Sequence, residues 1–135
     1  MASLVENPDL QSALDIVRLA DQPNGRINVD SWHLVRSDGD LETLRQVPGE
    51  IIVVIQLDDG PMTVEGNLVE ATLHNRVLPG EGEFDLAGMV RAPRDTGTTA
   101  PFGVEVYSDA LHELPAEEGA RRAERVTRQV LEPAR

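Results

Sequence analysis

Apolar residues between Asn7 and Asp21 recur at helical spacing: Leu10, Ala13, Leu14 and Val17 form one stripe. Asn7 followed by Pro8 supplies an N-cap and a first-turn proline, and Pro23-Asn24-Gly25 stops the helix. The period then changes. From Arg26 to Asp30, Ile27 and Val29 alternate with Asn28 and Asp30, which predicts a short strand, and Ser31-Trp32-His33-Leu34 continues beyond its end. Asp38-Gly39-Asp40 reads as a turn, with Asp40 capping a short helix that ends near Val47-Pro48-Gly49. The run Ile51 to Leu57 is the strongest strand signal and predicts a strand covered on both faces; Asp58-Asp59-Gly60-Pro61 ends it as a turn. Residues 61 to 84 hold no convincing long element, and a connection of that length inside a compact domain points to function or disorder. Asp85 opens a helix through Leu86, Met89 and Val90 that Pro93 is expected to kink or shorten. Phe102 to Val106 is the third strand, and Pro115 to Leu131 the last helix.

Strands alternating with helices imply right-handed crossovers and parallel pairing, hence an α/β fold in one domain spanning residues 1–135. Parallel strands place all their carboxyl ends on one side of the sheet. Here those ends carry Asn28, Asp30 and nearby His33, then Gln56 and Asp58, then Glu105. Alternation puts Ile27, Val29, Ile55 and Leu57 on faces opposite these polar groups, so one sheet face suits helix packing and the other gathers oxygen and nitrogen donors. Such donors suit Mg²⁺, Mn²⁺ or a similar divalent ion. Taken singly, Asp30, Gln56 and Glu105 are each equally consistent with a capped or solvated polar group at a strand end, and Asp58 and Asp59 read more readily as the turn before Gly60. His74 and His112 read as ordinary loop histidines, and Trp32 as packing beneath the site.

Composition narrows the chemistry. All 12 basic residues are arginines, against 24 acidic residues, for a formal net charge of -12. Without lysine there is no Schiff base and no Walker A loop, and without cysteine no disulfide framework, thiolate zinc site or thiol nucleophile. The acidic balance argues against general nucleic-acid binding and against docking on anionic lipid. No stretch approaches the roughly 20 apolar residues of a membrane span. With no signal-peptide pattern at Met1 to Glu6, the expectation is a cytoplasmic protein.

Four segments then occur in order: Asn28-Val29-Asp30-Ser31-Trp32-His33, Ile55-Gln56-Leu57-Asp58-Asp59, Asn75 to Asp85 with its Leu78-Pro79-Gly80-Glu81-Gly82 centre, and Gly103-Val104-Glu105-Val106. Together they resemble the carboxyl-terminal half of the sugar phosphate isomerase/epimerase family, xylose-isomerase-like (β/α)8 barrels related to endonuclease IV. The resemblance runs from about Leu10 to Leu131. It implies that Asp30, Gln56 and Glu105 bind a divalent metal, with Gln56 where many members use histidine. It further implies that Glu105 shuttles a proton, that His33 contacts substrate oxygen and that Arg76 anchors the substrate beside the Pro79–Gly82 loop. The implied reaction is proton transfer next to the carbonyl of a sugar-like polyol or keto acid, or dehydration at the same site.

A full barrel has eight strands and typically about 250 residues. Three clear strands make a partial barrel with open edges, so self-association into a homo-oligomer is expected. The family's first metal-binding glutamate precedes the matched region; Glu6 is its closest candidate, at too short a spacing from the helix that follows. Two classes of function stay open: a metal-dependent isomerase, epimerase or lyase completed by another chain, and a catalytically inactive half-barrel that self-associates or binds ligand.

Overall fold

The structure, a computed structural model, describes residues 9–132. In chain order the elements are α1 (Leu10–Ala20), β1 (Ile27–Asp30), α2 (Ser31–Arg36), α3 (Leu41–Arg45), a 3-10 turn (Gly49–Ile51), β2 (Ile52–Leu57), α4 (Leu68–His74), α5 (Leu86–Asp95), β3 (Phe102–Val104), α6 (Asp109–His112) and α7 (Ala116–Leu131). The three strands form one sheet in the order β1-β2-β3, and both pairs are parallel. The register sets Asp30 beside Gln56 and Gln56 beside Gly103, so the strand ends lie level.

Short side-chain caps start most helices. Asp9, Asp30, Asp40, Asn67, Asp85 and Ser108 each accept a backbone N–H from the first turn, satisfying donors that have no partner within the helix. The expected start of α1 at Asn7 lies outside the described residues; within them the helix opens at Leu10. Leu14 is its buried residue, while Ile16 and Leu19 face solvent.

An aliphatic core forms on the sheet face carrying Val29, Ile55 and Leu57, together with Leu44, Val47, Met89, Val90 and Ala92. α3 packs on α5, and α5 on α7. The opposite face is open: Asn28 is exposed, and Val54 and Gln56 are half-buried. The expectation that β2 is covered on both faces therefore does not hold along its whole length, since Val53 is also 51% exposed.

Three other expectations are corrected. The 61–84 connection contains α4, a helix too short to show periodicity, anchored by the Asn67 cap and by buried Ala71. The third strand stops at Val104, because the chain leaves the sheet to bring the Tyr107 carbonyl to the Arg76 N–H at 3.0 Å, and α6 follows. Pro93 sits inside α5 without stopping it, and the helix runs two residues further, to Asp95. Trp32 is fully buried as expected, its Nε1 donating to Thr72 Oγ1 at 3.0 Å.

Ile55 is 1% exposed at the centre of the core. Ile55→Ala should cost about 2–5 kcal/mol of unfolding free energy, read as a lower urea midpoint with an unchanged m-value.

Candidate functional site at the carboxyl ends of the strands

A cavity of about 280 Å³ opens at the strand ends, lined in part by Asn28, Asp30, His33, Gln56 and Glu105. Parallel pairing carries these residues to it. Asp30 is the last residue of β1 and also caps α2: its Oδ1 accepts the His33 N–H at 3.0 Å. That cap consumes one carboxylate oxygen. The other, Oδ2, is buried and has no hydrogen-bond partner. His33, in the turn that Asp30 caps, likewise has a buried Nδ1 without a partner. Leaving such groups unpaired is costly, and in native proteins it commonly marks a place where a ligand, ion or water belongs. Gln56, level with Asp30, accepts a hydrogen bond at Oε1 from Asn28 Nδ2 at 2.5 Å. Glu105 follows β3, tied to β2 by its N–H to the Leu57 carbonyl at 3.3 Å, with its side chain 36% exposed.

Arg76 is held on several sides. Its Nε donates to the Thr72 carbonyl at 2.9 Å, and its guanidinium carbon lies 5.4 Å and 5.1 Å from the Trp32 and Tyr107 ring centroids. Its Nη1 hydrogen-bonds Asp58 Oδ2 at 2.8 Å and lies 3.7 Å from Asp30 Oδ2 and 3.8 Å from Glu105 Oε2. Arg76 is 2% exposed, so one buried cationic group serves three carboxylates.

Asp58 was expected to form a turn. It is instead fully buried. The Ser31 hydroxyl donates to its Oδ1 at 2.6 Å, and its own N–H donates to Ser31 Oγ at 2.8 Å. Burial, reinforced by the nearby Asp30 carboxylate, pushes the Asp58 carboxyl up to about 7, against the downward pull of Ser31 and Arg76. Asp59 is equally buried and gathers three backbone N–H groups, from Gly60 at 2.8 Å, Gly80 at 3.0 Å and Phe84 at 3.0 Å. It thereby fixes the Pro79–Gly82 loop. A Cβ on Gly82 would collide with the Asp59 carboxylate and the Gly60 nitrogen, which explains glycine at that position. Two consecutive acids after an apolar strand were the one signal for this pair, and a surface turn produces the same pattern.

His74 and His112 end α4 and α6 rather than lying in loops. His74 Nδ1 pairs with Asp109 at 2.9 Å, which raises its affinity for a proton. Glu6 lies outside the described residues.

Among the described residues, no three His, Asp or Glu side chains converge as a metal-holding group. The donor set at the cavity is two carboxylates and an amide. Its oxygen chemistry fits a hard divalent cation, and the partnerless Asp30 Oδ2 is an atom such an ion would satisfy. The set is short of the six ligands these ions usually take.

The sequence matches the xylose isomerase-like TIM barrel family over residues 3–130. The chain belongs to that family. It is 36% identical to the 3-dehydroshikimate dehydratase of Pseudomonas aeruginosa over 110 residues, covering 82% of this chain and 17% of that protein. It is 28% identical to the inosose isomerase of Bacillus subtilis over 117 residues, covering 87% of this chain and 41% of that one. Among solved structures, the IOLI protein with a bound zinc atom superposes with a TM-score of 0.82 at 25% identity, covering 94% of this chain and 45% of that one. The chain thus spans less than half the length of these relatives, consistent with three strands of a partial barrel. Among the described residues, no helix is long and apolar enough to cross a membrane.

The raised Asp58 pKa has a signed consequence for stability. The folded state keeps a proton up to about pH 7 that the unfolded chain releases near 3.8, so this group weakens the fold as pH rises through that window. Thermal melts between those limits should show a steeper decline for the wild type than for Asp58→Asn. Parallel curves would contradict the assignment.

Proposed function

We propose that the chain carries part of a divalent-cation site for proton transfer next to a carbonyl in a sugar-like polyol or keto acid. The observation that carries this reading is the buried Asp30 Oδ2, which has no hydrogen-bond partner and only a 3.7 Å ion pair with Arg76, in a cavity also lined by Gln56 and Glu105. Asp30, Gln56 and Glu105 would hold the ion, Mn²⁺ or Mg²⁺ by the hardness of the donors. When bound, the ion polarises the substrate carbonyl and acidifies the adjacent C–H.

The remaining chemistry belongs to the chain. Glu105 is the proton carrier, because its carboxylate borders the cavity yet stays partly exposed and can exchange with solvent. His33 faces the same cavity and offers a ring nitrogen to a substrate oxygen. Arg76, expected as an anchor for substrate oxygens, is 2% exposed and does not line the cavity, so its role in this reading is to supply positive charge behind the carboxylates. The names inosose isomerase and 3-dehydroshikimate dehydratase support a hydroxylated carbonyl substrate, with isomerisation and loss of water as alternative outcomes at one site. Among the described residues, no strand pairs with the outer edge of β1 or of β3. We propose that a second copy of the chain covers these edges and the open sheet face in a homo-oligomer.

A second reading, a half-barrel that binds ligand without catalysis, is favoured by the absence of a three-member His, Asp or Glu group among the described residues. Titration with Mn²⁺, followed by the electron paramagnetic resonance of the free ion, separates the two. The first reading expects stoichiometric binding, weakened at least roughly tenfold in Glu105→Gln by the lost charge. Absence of binding in both proteins would leave the second. Light scattering should give a mass above that of one chain; a folded monomer at micromolar concentration would refute self-association.

A further inference from the structure

Nη1 of Arg76 is the point where three carboxylates meet. It hydrogen-bonds Asp58 at 2.8 Å, while Asp30 and Glu105 stand off at 3.7 Å and 3.8 Å. The nearest partner takes the hydrogen bond, and the other two carboxylates keep only longer-range attraction. We propose that Asp58 is a positioning residue that acts through Arg76: it neutralises the guanidinium and holds it away from Asp30 and Glu105, leaving both free for a divalent cation. This rests on the functional reading given above.

Asp58 is built for the task. It is fully buried, does not line the cavity, and is locked by Ser31 through hydrogen bonds in both directions. Arg76 is fixed on its other side by the Thr72 carbonyl, so the guanidinium is clamped between two partners. The charges tell the same story. Counted formally, three carboxylates and one guanidinium carry a charge of -2, which a divalent cation balances. Without the Asp58 charge, only -1 remains. An unclamped guanidinium would then turn to Asp30 and Glu105 and compete with the ion for the same oxygens. The buried Asp58 is thus a counterion to Arg76, and its effect on the cavity is indirect.

The test compares Mn²⁺ affinity at mildly alkaline pH in the wild type, Asp58→Asn and the double variant Asp58→Asn/Arg76→Gln, with circular dichroism as a check on folding. Asp58→Asn should bind about tenfold more weakly or worse, from the loss of one nearby charge. Removing Arg76 as well should bring affinity back to within about threefold of the wild type, because the competitor has gone with its counterion. A merely structural role for Asp58 would not produce that rescue. Wild-type affinity in Asp58→Asn, or a double variant as weak as the single one, would overturn the proposal while leaving the cation site standing. A wild type that binds no Mn²⁺ would overturn both. Should Asp58→Asn fail to fold, the double variant, which buries a neutral pair, decides alone: near wild-type affinity supports the proposal and a loss beyond about tenfold refutes it.

Discussion

Parallel pairing of β2 with β1 on one side and β3 on the other decides where chemistry can sit in this chain. Because the strands run the same way, their carboxyl ends share a level, and the polar residues that end each strand gather there. An antiparallel β3 would carry Glu105 to the other end of the sheet, away from Asp30 and Gln56. The pairing in turn depends on apolar packing: Val29, Ile55 and Leu57 bury one face under helices, which turns Asn28, Asp30 and Gln56 to the other. Core and cavity are therefore two faces of one alternation.

Electrostatics then shapes the site. A buried carboxylate needs a partner, and Asp30, Asp58 and Glu105 crowd around a single guanidinium. Asp58 is satisfied by Arg76 and Ser31, and Glu105 reaches solvent. Asp30 commits one oxygen to capping α2 and leaves the other without a hydrogen bond, 3.7 Å from Arg76. Negative charge in excess of its local compensation is the property that supports the proposed cation site. The twelve arginines matter here as well. A planar guanidinium can hydrogen-bond a carboxylate, bond a backbone carbonyl and stack near aromatic rings at once, as Arg76 does with Asp58, Thr72, Trp32 and Tyr107.

Much of this was legible in the residues. The three parallel strands, the shared level of Asp30 and Gln56 and the burial of Trp32 follow from alternation and from strand order, whereas Glu105 lies two residues beyond Gly103, the register partner of Gln56. What escaped is non-local. α4 is a single short helix with one buried residue, Ala71, too little to leave a periodic signature, and it is held by the Asn67 cap and by non-local contacts such as Trp32 with Thr72. The early end of β3 depends on a hydrogen bond between Tyr107 and Arg76, residues 31 positions apart in sequence. Asp58 and Asp59 read as a turn because two acids before Gly60 do form turns. Only the return of the chain through Arg76, Gly80 and Phe84 buries them, and that return is invisible until the sheet is assembled.

The central claim is that Asp30, Gln56 and Glu105 form one cation cradle. Crystals of the protein grown with Mn²⁺ and measured at the manganese absorption edge address it directly. An anomalous peak within about 2 Å of Asp30 Oδ2, Gln56 Oε1 and a Glu105 carboxylate oxygen is the expected result. A fully occupied peak elsewhere, or none at saturating Mn²⁺, would contradict it.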